Sequence, residues 1–343
     1  IKRTQVREYV QKTTEAHRLA AEFGIREEDL KLTERKGKPG RFDFREEVIP
    51  ADLKFFYILD ASIETRDLIY LPVPRVLITA YDMLHQKSAL VKFCKMILFR
   101  RDYLKELFMD SGAYPAAKRQ DWGHFDKVDA LFDLYEKVKP DICTGLDVPM
   151  YPFVLKHFKG TEQDLLDKTF NNLIRFRDWK PSFSTVKVFP LQGATVDQYI
   201  MMAKKYVKNG FFQGKGTAAA IGGKATATPE EQLEIVKQVV SIIGDQVEFI
   251  HCFGIGNPQR IVNLYKAGAR SFDATTVILM TAFGLYWLKD GTYQKHIIQE
   301  SPLARKVRLY FNMASFWGQL ADQFAKDQKT PLTYGELTKK VGD

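Results

Sequence analysis

From residue 73 onward the chain alternates short apolar runs with longer amphipathic stretches, the pattern of repeated strand–helix units. The runs "PRVLITAYDM", "ELFMDSG", "DICTGLDVP", "STVKVFPLQG", "GFFQGKGTAAAIGG", "VEFIHCFGIG" and "ARSFDATT" are seven candidate strands. Between them, "TVDQYIMMAKKYVKNG", "TPEEQLEIVKQVVSIIG" and "NPQRIVNLYKAG" have the period of helices that pack one face on a sheet. Two helix starts are marked chemically: Thr228 and Asn257 are expected N-caps, each followed by proline at the first helical position. Strands that each precede a helix predict an α/β fold, a (β/α)8 barrel over 73–300, with an open doubly wound sheet as the alternative. Residues 1–72 are expected to be an N-terminal helical extension and linker. Residues 301–343 are expected to be a C-terminal helical extension, preceded by a short hairpin around Asp290 and Gly291.

Composition changes this picture little, and charge changes it more. At 343 residues and 45% hydrophobic, the chain has enough apolar surface for one large core. The formal net charge of +9 points to a polyanionic partner, although a solvated lysine-rich face would give the same balance. Cys94, Cys143 and Cys252 are far apart, without a CxxC pair or a histidine at ligand spacing, so reduced thiols and no metal are expected. No apolar run reaches membrane-spanning length and the first 25 residues read as a charged amphipathic helix. A cytoplasmic protein with no membrane association and no cofactor is therefore expected.

In a barrel the C-terminal ends of the strands carry the chemistry, so polar residues ending apolar strands are read first. Asp110, Asp147, Gln192, Gly222, Gly223 and Asp273 all hold that position. Each alone also suits a helix cap or a turn. Together, several carboxylates around an apolar pocket suit displacement at a sugar carbon, where one attacks and another moves a proton. That division of labour falls to Asp110 and Asp273. His251, Cys252 and Phe253 are candidate pocket-lining residues, with a core histidine equally compatible for His251. Trp122 and His124 are read as part of a mobile loop over the site, with a merely polar loop almost as compatible, and Lys118, Arg119, Lys215 and Lys224 as candidate phosphate contacts. "GIGNPQ" lacks the third glycine of a dinucleotide-binding turn and is read as a plain turn.

Taken in order, these motifs resemble the tRNA-guanine transglycosylases, TIM-barrel enzymes that exchange guanine for a 7-deazaguanine; the likeness covers roughly residues 75–290. "MDSGAY" resembles the family's DSGG-aromatic segment. By that resemblance Asp110 is the general acid/base, Tyr114 stacks on the base, and Ser111 joins the substrate-binding set. "LDVPMYP" resembles the segment in which an aspartate, here Asp147, binds N1 and the exocyclic amine of guanine. "LQG" and "IGG" resemble the segments whose glutamine side chain and glycine N–H bind O6, here Gln192 and Gly223 beside Gly222. "FGIG" with "SFDATT" resembles the segment carrying the nucleophile, here Asp273. The implied reaction is retaining base exchange through a covalent Asp273–nucleotide intermediate, on a nucleotide flipped out of its stack.

Three departures from the family pattern bear on the substrate. No cysteine follows Cys252, so the family's zinc cluster of three cysteines and a histidine lacks its cysteines, and no appended RNA-binding domain is expected. "TTVILMTAF" replaces the Arg-bearing loop that reads uridines in bacterial tRNA enzymes, and Ala113 replaces the second glycine of DSGG. These features, with the basic charge, resemble the zinc-lacking branch that inserts 7-cyano-7-deazaguanine or a related base into DNA. DNA is thus the expected partner and tRNA the alternative. A nucleic-acid-binding non-catalytic subunit, a base-releasing glycosidase and a homodimer or partner-subunit arrangement are further alternatives.

Overall fold

The structure, a computed structural model, describes residues 49–59, 75–86, 104–223, 227–288, 293–295 and 302–328, with three isolated helical positions between 88 and 93. Eight parallel strands close on themselves in sequence order: β1 (Lys54–Leu59), β2 (Arg75–Thr79), β3 (Glu106–Asp110), β4 (Ile142–Thr144), β5 (Val186–Leu191), β6 (Thr217–Ile221), β7 (Ile250–Cys252) and β8 (Ser271–Ala274). Closure is made by β8 pairing with β1, from Lys54 opposite Ser271 to Tyr57 opposite Ala274. The expected α/β barrel is therefore present, and the open-sheet alternative is excluded.

The first strand lies earlier than expected. "KFFYIL", residues 54–59, falls inside the stretch read as an extension, so the barrel begins well before residue 73. Its physical disguise is that both faces are covered. Phe55 and Tyr57 enter the layer between strands and helices, while Phe56 points into the barrel, which removes the polar alternation that marks a half-exposed strand. The helix expected near the N-terminus lies outside the described residues.

Strand alternation sorts the core into two layers. Inside the barrel, Phe56, Leu77, Phe108, Ile142, Val188, Ala218, Ala220 and Phe249 pack together, the alanines of β6 making room for the three phenylalanines. Each buried phenylalanine contributes about 2–3 kcal/mol by area burial. At the N-terminal end of the barrel, Glu106 joins Lys54 Nζ and Arg75 Nε, each at 2.5 Å. Burial opposes its charge, but these two hydrogen-bonded cations win and hold the Glu106 carboxyl below the usual range.

The helices follow from their caps and apolar faces. After β2 and β3 come the short α1 (Ala80–His85) and α2 (Ala113–Lys118), then a 3-10 turn at Trp122–Asp126 and α3 (Val128–Val138). α4 (Pro152–His157) and α5 (Glu162–Asp178) follow β4, and α5 opens with a capping box in which Thr161 and Asp164 satisfy each other's backbone N–H. α6 (Val196–Lys208), α7 (Pro229–Ile243) and α8 (Pro258–Lys266) follow β5, β6 and β7. Thr228 and Asn257 cap α7 and α8 as expected, each accepting from the N–H three residues on. α9 (Thr276–Ala282) leads to the antiparallel pair β9 (Leu285–Trp287) and β10 (Tyr293–Lys295), the expected hairpin.

The last helix among the described residues, α10 (Pro302–Gln328), packs back on the barrel. Phe316 lies 4.6 Å from the Phe55 ring, and Trp317 Nε1 donates to Tyr57 Oη at 2.6 Å. Asn312 ties this helix to the hairpin, accepting from Trp287 N at 2.7 Å and donating to Leu285 O at 2.9 Å. Among the described residues no helix is long and apolar enough to cross a membrane.

Candidate active site

Six consecutive strands deliver polar groups or glycine to one rim: Asp110 ends β3, Asp147 follows β4, Gln192 follows β5, Gly222 and Gly223 follow β6, Gly254 follows β7, and Asp273 lies within β8. Strand parity explains the convergence. Residues two beyond the interior Phe108, Ile142 and Phe249 are Asp110, Thr144 and His251, so the alternation that fills the barrel also aims these side chains up its axis.

Asp110 is held by the turn that follows it. Its Oδ2 accepts from Gly112 N at 3.1 Å and its Oδ1 from Thr144 Oγ1 at 3.4 Å. Thr144 also accepts from Ser111 N at 2.7 Å, pinning the strand end on both sides. Burial, the charge of Asp147 and, more weakly, that of Asp273 push Asp110 up to about 7, against the N–H donors of Gly112 and Ser111. This carboxyl is thus partly protonated near neutrality, as a group that both gives and takes a proton requires.

Asp147 is almost fully buried and is pushed up to about 6, chiefly by burial. Gln192 Nε2 donates to its Oδ2, and Ser111 Oγ donates to its Oδ1 at 3.4 Å. The other end of Gln192 accepts from Met150 N at 3.3 Å, so the amide is oriented by two partners. Gln192 leaves no room over the β6 turn: a Cβ on Gly222 would meet its Nε2 at 2.1 Å, and Gly223 has φ +72°. Tyr199 from α6 donates to the Gly222 carbonyl and fixes the peptide that presents the Gly223 N–H.

Asp273 is buried opposite, and two donors meet one of its oxygens. His251 Nε2 lies 2.9 Å from Oδ1, and Gly254 N donates to the same atom at 3.1 Å. His251 Nδ1 lies 2.8 Å from Ser271 Oγ, and the ring is enclosed by Phe108 and Phe253 at 5.0 and 4.5 Å. Over the rim, Tyr114 is 47% exposed and meets Tyr151 and Phe153 edge-on at 5.3 and 6.2 Å.

Several expectations need correction. Cys252 does not line the pocket: its parity is opposite to His251 and Phe253, and it packs in the helix-facing layer. Trp122 and His124 are not a loose loop. They lie in the 3-10 turn, where buried His124 places Nε2 3.1 Å from the Ser111 carbonyl, and burial pulls its pKa down to about 4. Lys215 is exposed in the turn before β6, beside the backbone that precedes β7, and so lies at the end of the barrel opposite the rim. Lys118 and Arg119 are exposed at the end of α2, with Arg119 Nη1 3.3 Å from Asp82 Oδ1. Lys224 lies outside the described residues. Thr144, Tyr199 and Ser271 went unread, although Thr144 and Ser271 share strand parity with Asp110 and Asp273.

Among the described residues no group of three or more His, Cys, Asp and Glu is placed to hold a metal. The chemistry available to this rim is that of carboxyl groups with unlike surroundings: one partly protonated, one paired with an amide, one held by a histidine and an N–H. A family model described as queuine tRNA-ribosyltransferase matches residues 120–309, which include every rim residue except those of the Asp110–Tyr114 segment. No curated protein matches the chain.

Proposed function

The chain belongs to the queuine tRNA-ribosyltransferase family, and on that premise we propose that it replaces guanine in DNA with a 7-deazaguanine such as 7-cyano-7-deazaguanine. The family consists of pentosyltransferases, guanine transglycosylases that act on a base in nucleic acid. The observation that supports the base-exchange chemistry is the unlike environment of Asp110, Asp147 and Asp273 on one rim.

In this reading Asp273 attacks C1′ of the target nucleotide. A lone pair of its carboxylate forms the C1′–O bond while the C1′–N9 electrons leave with guanine, which takes the Asp110 proton. An incoming 7-deazaguanine then attacks C1′ through N9, returns its N9 proton to Asp110 and expels Asp273. Protons balance over the two steps and the configuration at C1′ is retained. Asp147 and Gln192, which satisfy each other in the free pocket, turn to the base: Asp147 accepts from N1–H and the exocyclic amine, and Gln192 and Gly223 N–H donate to O6. Ser111 supports Asp147, and Tyr114 stacks on the flipped base in place of its lost neighbours.

The choice of DNA rests on two features. The segment after Asp273 is the apolar helix α9, with Leu279 and the following Phe283 exposed, where bacterial tRNA enzymes carry the Arg-bearing loop. The net charge of +9 suits a phosphate backbone. tRNA is the second reading, because the matched family is described by it. Labelled 7-cyano-7-deazaguanine offered separately with duplex DNA and with tRNA tests the choice. Label is expected in DNA, and Asp273→Ala is expected to trap no covalent nucleic-acid adduct. Label in tRNA alone transfers the assignment to the second reading, and label in neither favours the non-catalytic subunit.

A further inference from the structure

Asp273 is treated unequally by its surroundings. Oδ1 receives both His251 Nε2 and Gly254 N, whereas Oδ2 has no hydrogen bond among the described residues. A backbone N–H can only donate, so Oδ1 must be an acceptor. The short His251 contact to that same oxygen is then best satisfied by Nε2–H as donor. In a ring that carries its one proton on Nε2, Nδ1 is an acceptor, and Ser271 Oγ, 2.8 Å away, is placed to donate to it. Ser271, His251 and Asp273 thus form one directed chain, Ser271 O–H to Nδ1 and Nε2–H to Oδ1, with every member buried.

Phe56, Phe108 and Phe253 surround the imidazole edge-on and give it no polar alternative. The ring cannot turn over without losing both hydrogen bonds in an apolar shell. We propose that His251, with Ser271 behind it, is a positioning residue that fixes Asp273 through Oδ1 so that Oδ2 is the atom that bonds to C1′. This rests on the nucleophile role proposed above for Asp273.

The chain serves both halves of the exchange. Before attack it holds the carboxylate plane and leaves one oxygen facing the sugar. Once Oδ2 is bonded to C1′, Oδ1 is an ester carbonyl that still accepts from both donors. When the incoming base displaces Asp273, the electrons of the breaking C1′–Oδ2 bond return to a carboxylate that those donors already stabilise. No proton crosses between His251 and Asp273 in either step.

Two measurements test the proposal. Nitrogen-15 NMR of the histidine side chains in the full chain, with His251 assigned through His251→Gln, is expected to show the Nε2–H tautomer. The Nε2 signal should move in Asp273→Asn and the Nδ1 signal in Ser271→Ala. An Nδ1–H tautomer, or signals indifferent to both variants, overturns the inference whether or not the enzyme is active.

In parallel, the rate of covalent adduct formation on guanine-containing DNA and tRNA is compared at saturating nucleic acid. His251→Phe is expected to lose roughly 100-fold, as misplacement of a reacting group does, with little change in guanine binding. His251→Gln, which keeps a donor near Oδ1, should recover most of that loss, and Ser271→Ala should fall between. Ser271→Ala removes only a hydroxyl and keeps the comparison open should His251→Phe fail to fold. A wild-type enzyme that forms the adduct while His251→Phe and Ser271→Ala match its rate overturns the positioning role and leaves the transglycosylase reading intact. A wild type that forms no adduct on either nucleic acid sinks that reading instead, and the NMR result then judges the His251 contact alone.

Discussion

Burial and the neighbouring carboxylates push Asp110 from its ordinary value of 3.8 up to about 7, so this one residue links activity to stability. The folded state binds its proton more tightly than the unfolded chain does. Stability from this group is therefore highest below the unfolded value, declines as pH rises toward about 7, and is flat above. Asp110→Asn removes that penalty and is expected to melt above wild type at pH 8, with the difference closing near pH 4. Thermal melts at the two pH values check this. The same change removes the proton donor and should slow guanine release by roughly 100-fold or more. Asp147 adds a smaller penalty of the same sign. Asp110, Asp147 and Asp273 were legible in the sequence because a carboxylate ending an apolar run is conspicuous. Thr144 and Ser271 were not, since a hydroxyl within a buried strand looks like any tolerated polar residue until its partner is seen.

Elements, more than single side chains, set the rim geometry. The β3–α2 turn shows this at Gly112, whose φ is +84° and where an added Cβ would fall 2.3 Å from Tyr81 Cβ and 2.6 Å from Tyr81 N. Gly112→Ala must move α1 or the turn itself, and is expected to destabilise by about 1–3 kcal/mol and to disturb Asp110 and Ser111 together. Ala113, by contrast, starts α2, and nothing in its backbone requires glycine. Ala113→Gly should cost about 1 kcal/mol or less and leave adduct formation near wild type. Urea unfolding and adduct assays on the pair separate these outcomes. The alanine in "DSGA" is thus compatible with the site, because only the first glycine occupies a left-handed turn. β1 was the element the sequence concealed, since a strand buried on both faces has no alternation to read.

At the scale of the whole molecule, the +9 charge has consequences only where it faces the substrate. Lys118 and Lys215 are both exposed, yet they lie toward opposite ends of the barrel, the first after β3 and the second before β6. Lys118→Glu is expected to weaken nucleic-acid binding and to reduce the slope of log affinity against log salt by about one for each phosphate it no longer neutralises. Lys215→Glu is expected to leave both unchanged. Fluorescence anisotropy across a salt series distinguishes the two, and an equal effect from both variants would move the nucleic-acid path off the rim.

Local periodicity, cap chemistry and the residues ending each apolar run were enough to favour a barrel over an open sheet, to mark the helix starts at Thr228 and Asn257, and to single out three strand-end carboxylates as candidates, because each is a short-range signal. Pairings between distant residues needed the closed barrel. Closure through β1 and β8, His251 on Asp273 across 22 positions, Gln192 on Asp147 across 45 and His124 beneath Ser111 arise from strand order and parity. Side chains far apart in sequence meet on one rim only once eight strands share a common tilt and register. The pleat of β7 sets Cys252 and His251, neighbours in the chain, on opposite faces, and closure of the barrel makes the His251 face the inner one.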